Sequence, residues 1–171
     1  MKKLLSFAFA LVSVASLISC QKDVATTNDP IPELISGNGN QSVPFNGSYT
    51  TSAQILNPPP MMRQQIIGHG QAPHLGKSTF VAISNVNFTV PPPFPISGTC
   101  VWTAANGDEF YSSFVGTATP TGQGTNNVVM THTITGGTGR FSDATGTITG
   151  HTVATPGHSE GHVTYEGTIS Y

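Results

Sequence analysis

The feature that most constrains the fold of this chain is a repeated alternation of apolar and polar residues. In the last segment every second residue is apolar or glycine: Val163, Tyr165, Gly167, Ile169 and Tyr171. A period of two is that of a β-strand with one face turned towards a core. Comparable runs lie upstream, at residues 46–56, 64–69, 77–89, 97–105, 109–116, 128–134 and 143–153. The pattern therefore predicts about eight strands and no helix.

Composition agrees with an all-β chain that has many turns. Only 8% of the residues are charged, against about 25% in an average globular protein. Proline clusters at 58–60 and 91–93 mark loops, because proline cannot donate to a sheet ladder. Glycines within the predicted strands favour a closed barrel over a sandwich, since strongly coiled strands bend at glycine. We therefore expect one antiparallel, about eight-stranded β-barrel over residues 44–171.

One hairpin is predicted with particular clarity. Asn106-Gly107 lies between two alternating runs. This dipeptide is typical of a two-residue β-hairpin turn in which both residues have a positive φ. We therefore expect the strands on either side of it to pair.

The N-terminus predicts export as a lipoprotein. A basic Met1-Lys2-Lys3 precedes an apolar run over residues 4–18, which is shorter than the roughly 20 residues of a membrane-spanning helix. The following Leu17-Ile18-Ser19-Cys20 resembles the bacterial lipobox. That resemblance implies cleavage of leader 1–19 and lipidation of Cys20, which makes the membrane a partner. The alternative is a plain secreted protein.

Residues 20–43 contain no periodic apolar pattern and are predicted to form a flexible tether after the lipidated cysteine. Gln21-Lys22-Asp23 is similar to a shortened form of the tag that directs some gram-negative lipoproteins to the cell surface. We therefore expect an outer-membrane lipoprotein of the cell envelope. Whether it faces the periplasm or the cell surface is left open.

The second cysteine, Cys100, is left without a partner once Cys20 is lipidated. It shares a strand face with Trp102 in the run Thr99-Cys100-Val101-Trp102. We expect a buried and unreactive thiol. Without a disulfide, the domain depends on its hydrophobic core.

Several function classes are disfavoured. A formal net charge of −2 gives no basic surface for nucleic acid. The Leu75–Thr79 segment has a Gly-Lys-Ser-Thr run but not the glycine spacing of a phosphate-binding loop. His158 and His162 are four residues apart but are interrupted by glycine, so no helical metal motif forms. The sequence predicts no metal site, no cofactor and no catalytic motif.

A glycine-rich stretch carries the one internal resemblance. Residues 136–146, Gly-Gly-Thr-Gly-Arg-Phe-Ser-Asp-Ala-Thr-Gly, resemble the signature of allene oxide cyclase and dirigent barrels. His74-Leu75-Gly76-Lys77 and Asn106-Gly107-Asp108 precede it in the order seen in related exported bacterial proteins. The resemblance implies an eight-stranded antiparallel barrel, often trimeric, with an apolar cavity. Its structural motif residues here are Gly136, Gly137, Gly139, Arg140 and Phe141.

The candidate cavity-lining residues lie on the apolar strand faces: Phe110, Phe114, Met130, His132 and Tyr165. His132 is the polar member of this set, either a core histidine with a hydrogen-bond partner or a polar anchor in a cavity. We expect a non-catalytic binding or interaction module, with a small apolar molecule as a candidate ligand. The alternatives are an isomerase or cyclase acting in the cavity, and a purely structural envelope protein with a filled barrel.

Overall fold

The computed structural model of the chain describes residues 41–171, and the predictions made for the leader, Cys20 and residues 21–40 lie outside this part. The described chain consists of strands and a single 3-10 turn at Gly139–Phe141. The strands are β1 (Ser42–Asn57), β2 (Met61–Ala72), β3 (Gly76–Asn87), β4 (Phe94–Thr103), β5 (Glu109–Pro120), β6 (Asn126–Gly137), β7 (Thr145–Ala154) and β8 (Glu160–Ser170). The predicted all-β class and strand number are confirmed.

The strands form one closed antiparallel barrel in which each strand pairs with its neighbours in the sequence and β8 returns to β1. The first strand is long because it serves two partners at staggered heights. Its part from Ser42 to Ser52 pairs with β8, and its part from Ser48 to Asn57 pairs with β2. Such a stagger is what closing a sheet into a barrel requires. The strand begins at Ser42, two residues before the predicted domain boundary.

The hairpin predicted at Asn106-Gly107 forms, but its turn differs from the expectation. Five residues, 104–108, connect β4 to β5. Gly107 has a φ of 88°, and its N–H donates to the carbonyl of Ala104 at 3.0 Å. Among residues 41–171 only His74 is a non-glycine residue with a positive φ, so Asn106 lacks the predicted conformation. The two-residue turn was wrong, because this longer loop belongs to the kind usually built around a type I turn.

Aromatic rings fill the barrel interior because glycines opposite them leave room. In four cross-strand pairs an inward-facing glycine is in register with an aromatic residue: Gly68–Phe80, Gly70–Tyr49, Gly98–Phe114 and Gly150–Tyr165. A Cβ atom on any of these glycines would lie 2.1–2.7 Å from a ring carbon. Each ring therefore lies over bare backbone, a known way of stabilising glycine within a sheet.

The two ends of the barrel carry different loops. The end at which β1 begins also holds the connections β2–β3, β4–β5 and β6–β7. We call it the capped end, because the buried side chains of Leu75 and Phe141 come from these connections. The opposite end holds the two proline-rich loops, and it exposes apolar side chains such as Ile55 and Met61.

Candidate functional site

All five residues predicted to line a cavity lie inside the barrel. Phe110 and Phe114 are on β5, Met130 and His132 are on β6, and Tyr165 is on β8, each less than a tenth exposed. Their side chains point inward because they occupy alternate positions of strands whose other positions face outward. The alternation in the sequence therefore agrees with the inward orientation of these five side chains.

The space between these residues holds other aromatic rings. Trp102 stacks on Phe110 with the ring centroids 5.3 Å apart, and it meets Tyr165 edge-on at 4.8 Å. The imidazole of His132 lies 4.7 Å from the ring of Phe114 and 5.4 Å from that of Tyr165. Aromatic contacts of this kind contribute about 0.5–1.5 kcal/mol each beyond area burial. The centre of the barrel is therefore a packed aromatic cluster.

A short chain of hydrogen bonds fixes His132 on one side. The indole N–H of Trp102 donates to Ser112 Oγ at 3.1 Å, and Ser112 Oγ lies 3.1 Å from His132 Nδ1. While the serine oxygen accepts from the indole, its own proton is free to be donated to Nδ1, and that arrangement leaves the ring proton on Nε2. Within residues 41–171, the buried Nε2 atom has no hydrogen-bond partner.

Burial keeps the ionisable groups of the interior uncharged at neutral pH. It lowers the pKa of His132 to about 4. It raises the pKa of the Cys100 thiol and of the Tyr165 phenol well above their ordinary values. The Tyr49 pKa is raised by burial too, partly offset by the hydrogen bond to Ser78. The interior thus offers a neutral imidazole but no thiolate or phenolate nucleophile.

The three sequence motifs that carry the family resemblance meet at the capped end. The Arg140 guanidinium donates to the carbonyl of His74, and its Nε lies 3.9 Å from a carboxylate oxygen of Asp108. The same guanidinium lies over the ring of Phe141 at 4.7 Å and near that of Tyr171 at 5.8 Å. One side chain therefore links the loops that follow β2, β4 and β6.

The glycines of the motif are needed for two different reasons. Gly136 and Gly139 have φ values of 108° and 54°, a region that favours glycine. A Cβ on Gly139 would also lie 2.1 Å from Asp108 Oδ1. Gly137 instead approaches the neighbouring strand, where a Cβ would lie 2.1 Å from the carbonyl oxygen of Glu109. The three glycines therefore allow the backbone conformation and the close approaches found at this end of the barrel.

Two buried polar pairs were missed by the sequence reasoning. The first pair joins Ser112 to His132. Ser112 lies between Phe110 and Phe114 on the inward face, and a serine at this position of an aromatic strand face is the sequence signal for a buried hydrogen bond. The other pair joins Tyr49 Oη and Ser78 Oγ at 2.8 Å. No sequence signal identifies it, because its two members are 29 positions apart.

A groove of about 680 Å³ lies on the outer wall, and both polar and apolar groups line it. It crosses adjacent strands from β7 through β8, β1 and β2 to the start of β3. Its outward-facing side chains include Asn46, Ser48, Gln71, Lys77, His151 and Thr164. These residues are scattered along the sequence, and only the strand register brings them into one surface.

Residues 41–171 form a closed, antiparallel, eight-stranded β-barrel with an aromatic interior. This part has no group of three or more His, Cys, Asp or Glu residues placed to hold a metal ion. No helix within it is long and apolar enough to cross a bilayer.

A scan against protein-family models gave no match, and searches of curated proteins and of solved structures found no significant similarity.

Proposed function

We propose that this chain is a lipid-anchored, non-catalytic binding or interaction module of the cell envelope. The observation that carries the proposal is the packed aromatic cluster around His132 and Trp102. Ligand pockets usually provide about 300–1,000 Å³ of space. Space of that order, about 680 Å³, lies in the groove on the outer wall. Recognition by this module takes place on its outside.

The fold assignment within this proposal is an allene oxide cyclase/dirigent-like barrel. Strand number and antiparallel closure support it, as does the meeting of the three motif segments around Arg140. A homo-oligomer, a trimer by the same resemblance, is part of the proposal. Light scattering on the purified protein measures that state directly.

The anchor is tested by metabolic labelling with a radioactive fatty acid. We expect the wild-type chain to incorporate label and Cys20→Ala to lose it and leave the membrane fraction. Cys100→Ala is the matched control, because it removes the other cysteine, which is buried inside the barrel, and it should keep the label. An unlabelled wild-type chain would overturn the lipoprotein assignment.

The packed interior is tested by titrating the purified protein with a fluorescent fatty-acid analogue. We expect no saturable binding to the wild-type barrel or to His132→Leu. Saturable binding to the wild type that His132→Leu abolishes, with the barrel still folded by circular dichroism, would show an interior site for a small apolar molecule.

One observation favours the alternative of an isomerase or cyclase acting inside the barrel. The Nε2 atom of His132 is buried without a partner, and an unpaired buried polar group costs about 1–3 kcal/mol. A substrate oxygen would remove that cost, and a neutral imidazole could exchange a proton with it. The fatty-acid titration decides this alternative too, because such an enzyme must first bind an apolar substrate beside His132.

A further inference from the structure

The groove on the outer wall contains a regular row of polar side chains. Four consecutive register pairs form one row across five strands: His151–Thr164, Thr164–Ser48, Ser48–Gln71 and Gln71–Lys77. Neighbouring strands are about 4.8 Å apart, so the row extends over about 19 Å. That length suits an extended, oligomeric ligand better than a single small molecule.

Several polar side chains of the groove have unused hydrogen-bonding capacity. Within the described chain, those of Asn46, Gln71, Lys77 and Thr164 make no hydrogen bond or ion pair with protein groups. Each amide offers two donor hydrogens and an acceptor oxygen. The groove therefore presents both donors and acceptors that a ligand can use.

The charges of the groove are balanced and lie at its two sides. Lys77 is on β3 at one side, while Glu166 and His151 lie on β8 and β7 at the other, 3.8 Å apart. The strands between them, β1 and β2, contribute uncharged amides and a hydroxyl. A strongly anionic or cationic ligand gains little from such an arrangement, whereas a neutral ligand with many hydroxyl groups can pair along its whole length.

We propose that this groove binds a neutral oligosaccharide. The proposal deepens the function proposed above, because it rests on recognition at the outer wall and names the chemical class recognised. Asn46 and Gln71 supply the central hydrogen bonds to sugar hydroxyl groups, while Lys77 and the His151–Glu166 pair bound the site at its two sides. Binding depends on polar contacts, so it is weakened strongly by loss of the amides.

The test uses the full chain in a detergent without a sugar headgroup. Tetrasaccharides of N-acetylglucosamine and of glucose are titrated separately and followed by calorimetry and by amide NMR shifts. We expect one of them to bind and to shift groove residues. Asn46→Ala combined with Gln71→Ala should weaken that binding about tenfold or more, the effect of two lost hydrogen bonds. Gln65→Ala is the matched control, since Gln65 lies outside the groove on the same strand.

Three results would overturn the oligosaccharide proposal. The first is the absence of binding by both sugars at millimolar concentration. The second is binding of an anionic oligosaccharide that Lys77→Gln abolishes, because it would assign the groove to an anion. The third is occupation of the groove by a peptide of residues 21–40, which would make it a site for the chain's own N-terminal segment. None of these results affects the outcome of the fatty-acid labelling or of the fatty-acid titration. Those two experiments test the lipid anchor and the packed interior independently of the groove.

Discussion

At the residue scale, His132 makes the stability of the barrel depend on pH. Burial lowers its pKa from 6.5 to about 4 in the folded chain, and unfolding restores the higher value. Between these two values the unfolded state binds more protons, so the free energy of unfolding falls as the pH falls. The contribution of neutral His132 to the free energy of unfolding is fully present above pH 6.5 and is lost by about pH 4, a change of about 3 kcal/mol.

Urea unfolding at pH 7.5 and pH 4.5 measures this effect. We expect His132→Leu to remove most of the pH dependence that the wild type shows over this interval. His158→Leu, in the exposed β7–β8 hairpin, is the control and should keep it. An equal loss of stability on acidification in wild type and His132→Leu would show that other groups govern the acid response.

Gly98 tests the packing of rings over glycines. A Cβ at this position would lie 2.4 Å from the Phe114 ring and 2.0 Å from the carbonyl oxygen of Ile83. Gly98→Ala should therefore lower the stability by about 1–3 kcal/mol, as expected for overpacking of a tight interior. Gly122→Ala, with no atom within 4 Å of the added carbon, should change the melting temperature little. Equal melting temperatures for the two variants would contradict the tight contact.

At the scale of elements, the conformation of residues 136–141 requires a close approach of Gly139 to Asp108. Gly139 and Gly124 both have positive φ values, 54° and 76°, but only Gly139 lies against another residue. Alanine at either position incurs backbone strain of about 1 kcal/mol. We expect Gly139→Ala to be the more destabilising by a further 1–2 kcal/mol, the usual size of an overpacking effect. Combining it with Asp108→Ala should recover part of that difference in chemical denaturation.

An alternating sequence pattern predicts which face of a strand each side chain occupies, but not how the strands pair. Period two assigns Phe110, Phe114 and His132 to inward faces, because facing is a local property of a strand. It does not contain the register between strands, which brings Gly98 beneath Phe114 and assembles the groove around Gln71. The turn at Asn106 was also beyond it, since turn type depends on where the flanking strands stop pairing.

At the scale of the whole molecule, the stability of the barrel depends on the pairing of its last strand, β8, with its first, β1. Register pairs from Ser42–Ser170 to Ser52–Glu160 close it, and closure leaves no unpaired strand edge. The same part of β1 contributes Phe45 and Tyr49, both fully buried in the aromatic cluster. Closure and core filling therefore depend on the same eleven residues of β1.

Truncation separates this segment from the chain before it. A protein that begins at Ser42 keeps every pair between β1 and β8, so we expect it to fold, with a near-ultraviolet circular dichroism spectrum like that of the full chain. One that begins at Ala53 loses Phe45 and Tyr49 and exposes the edge of β8 along with most of the edge of β2. Fully burying one aromatic side chain is worth about 1.5–3 kcal/mol, and a domain of this size has only about 5–15 kcal/mol to lose. We therefore expect the shorter protein to be unfolded or aggregated, with poorly dispersed amide NMR signals. A monomeric protein beginning at Ala53 with native-like dispersion would contradict the requirement for closure by β1.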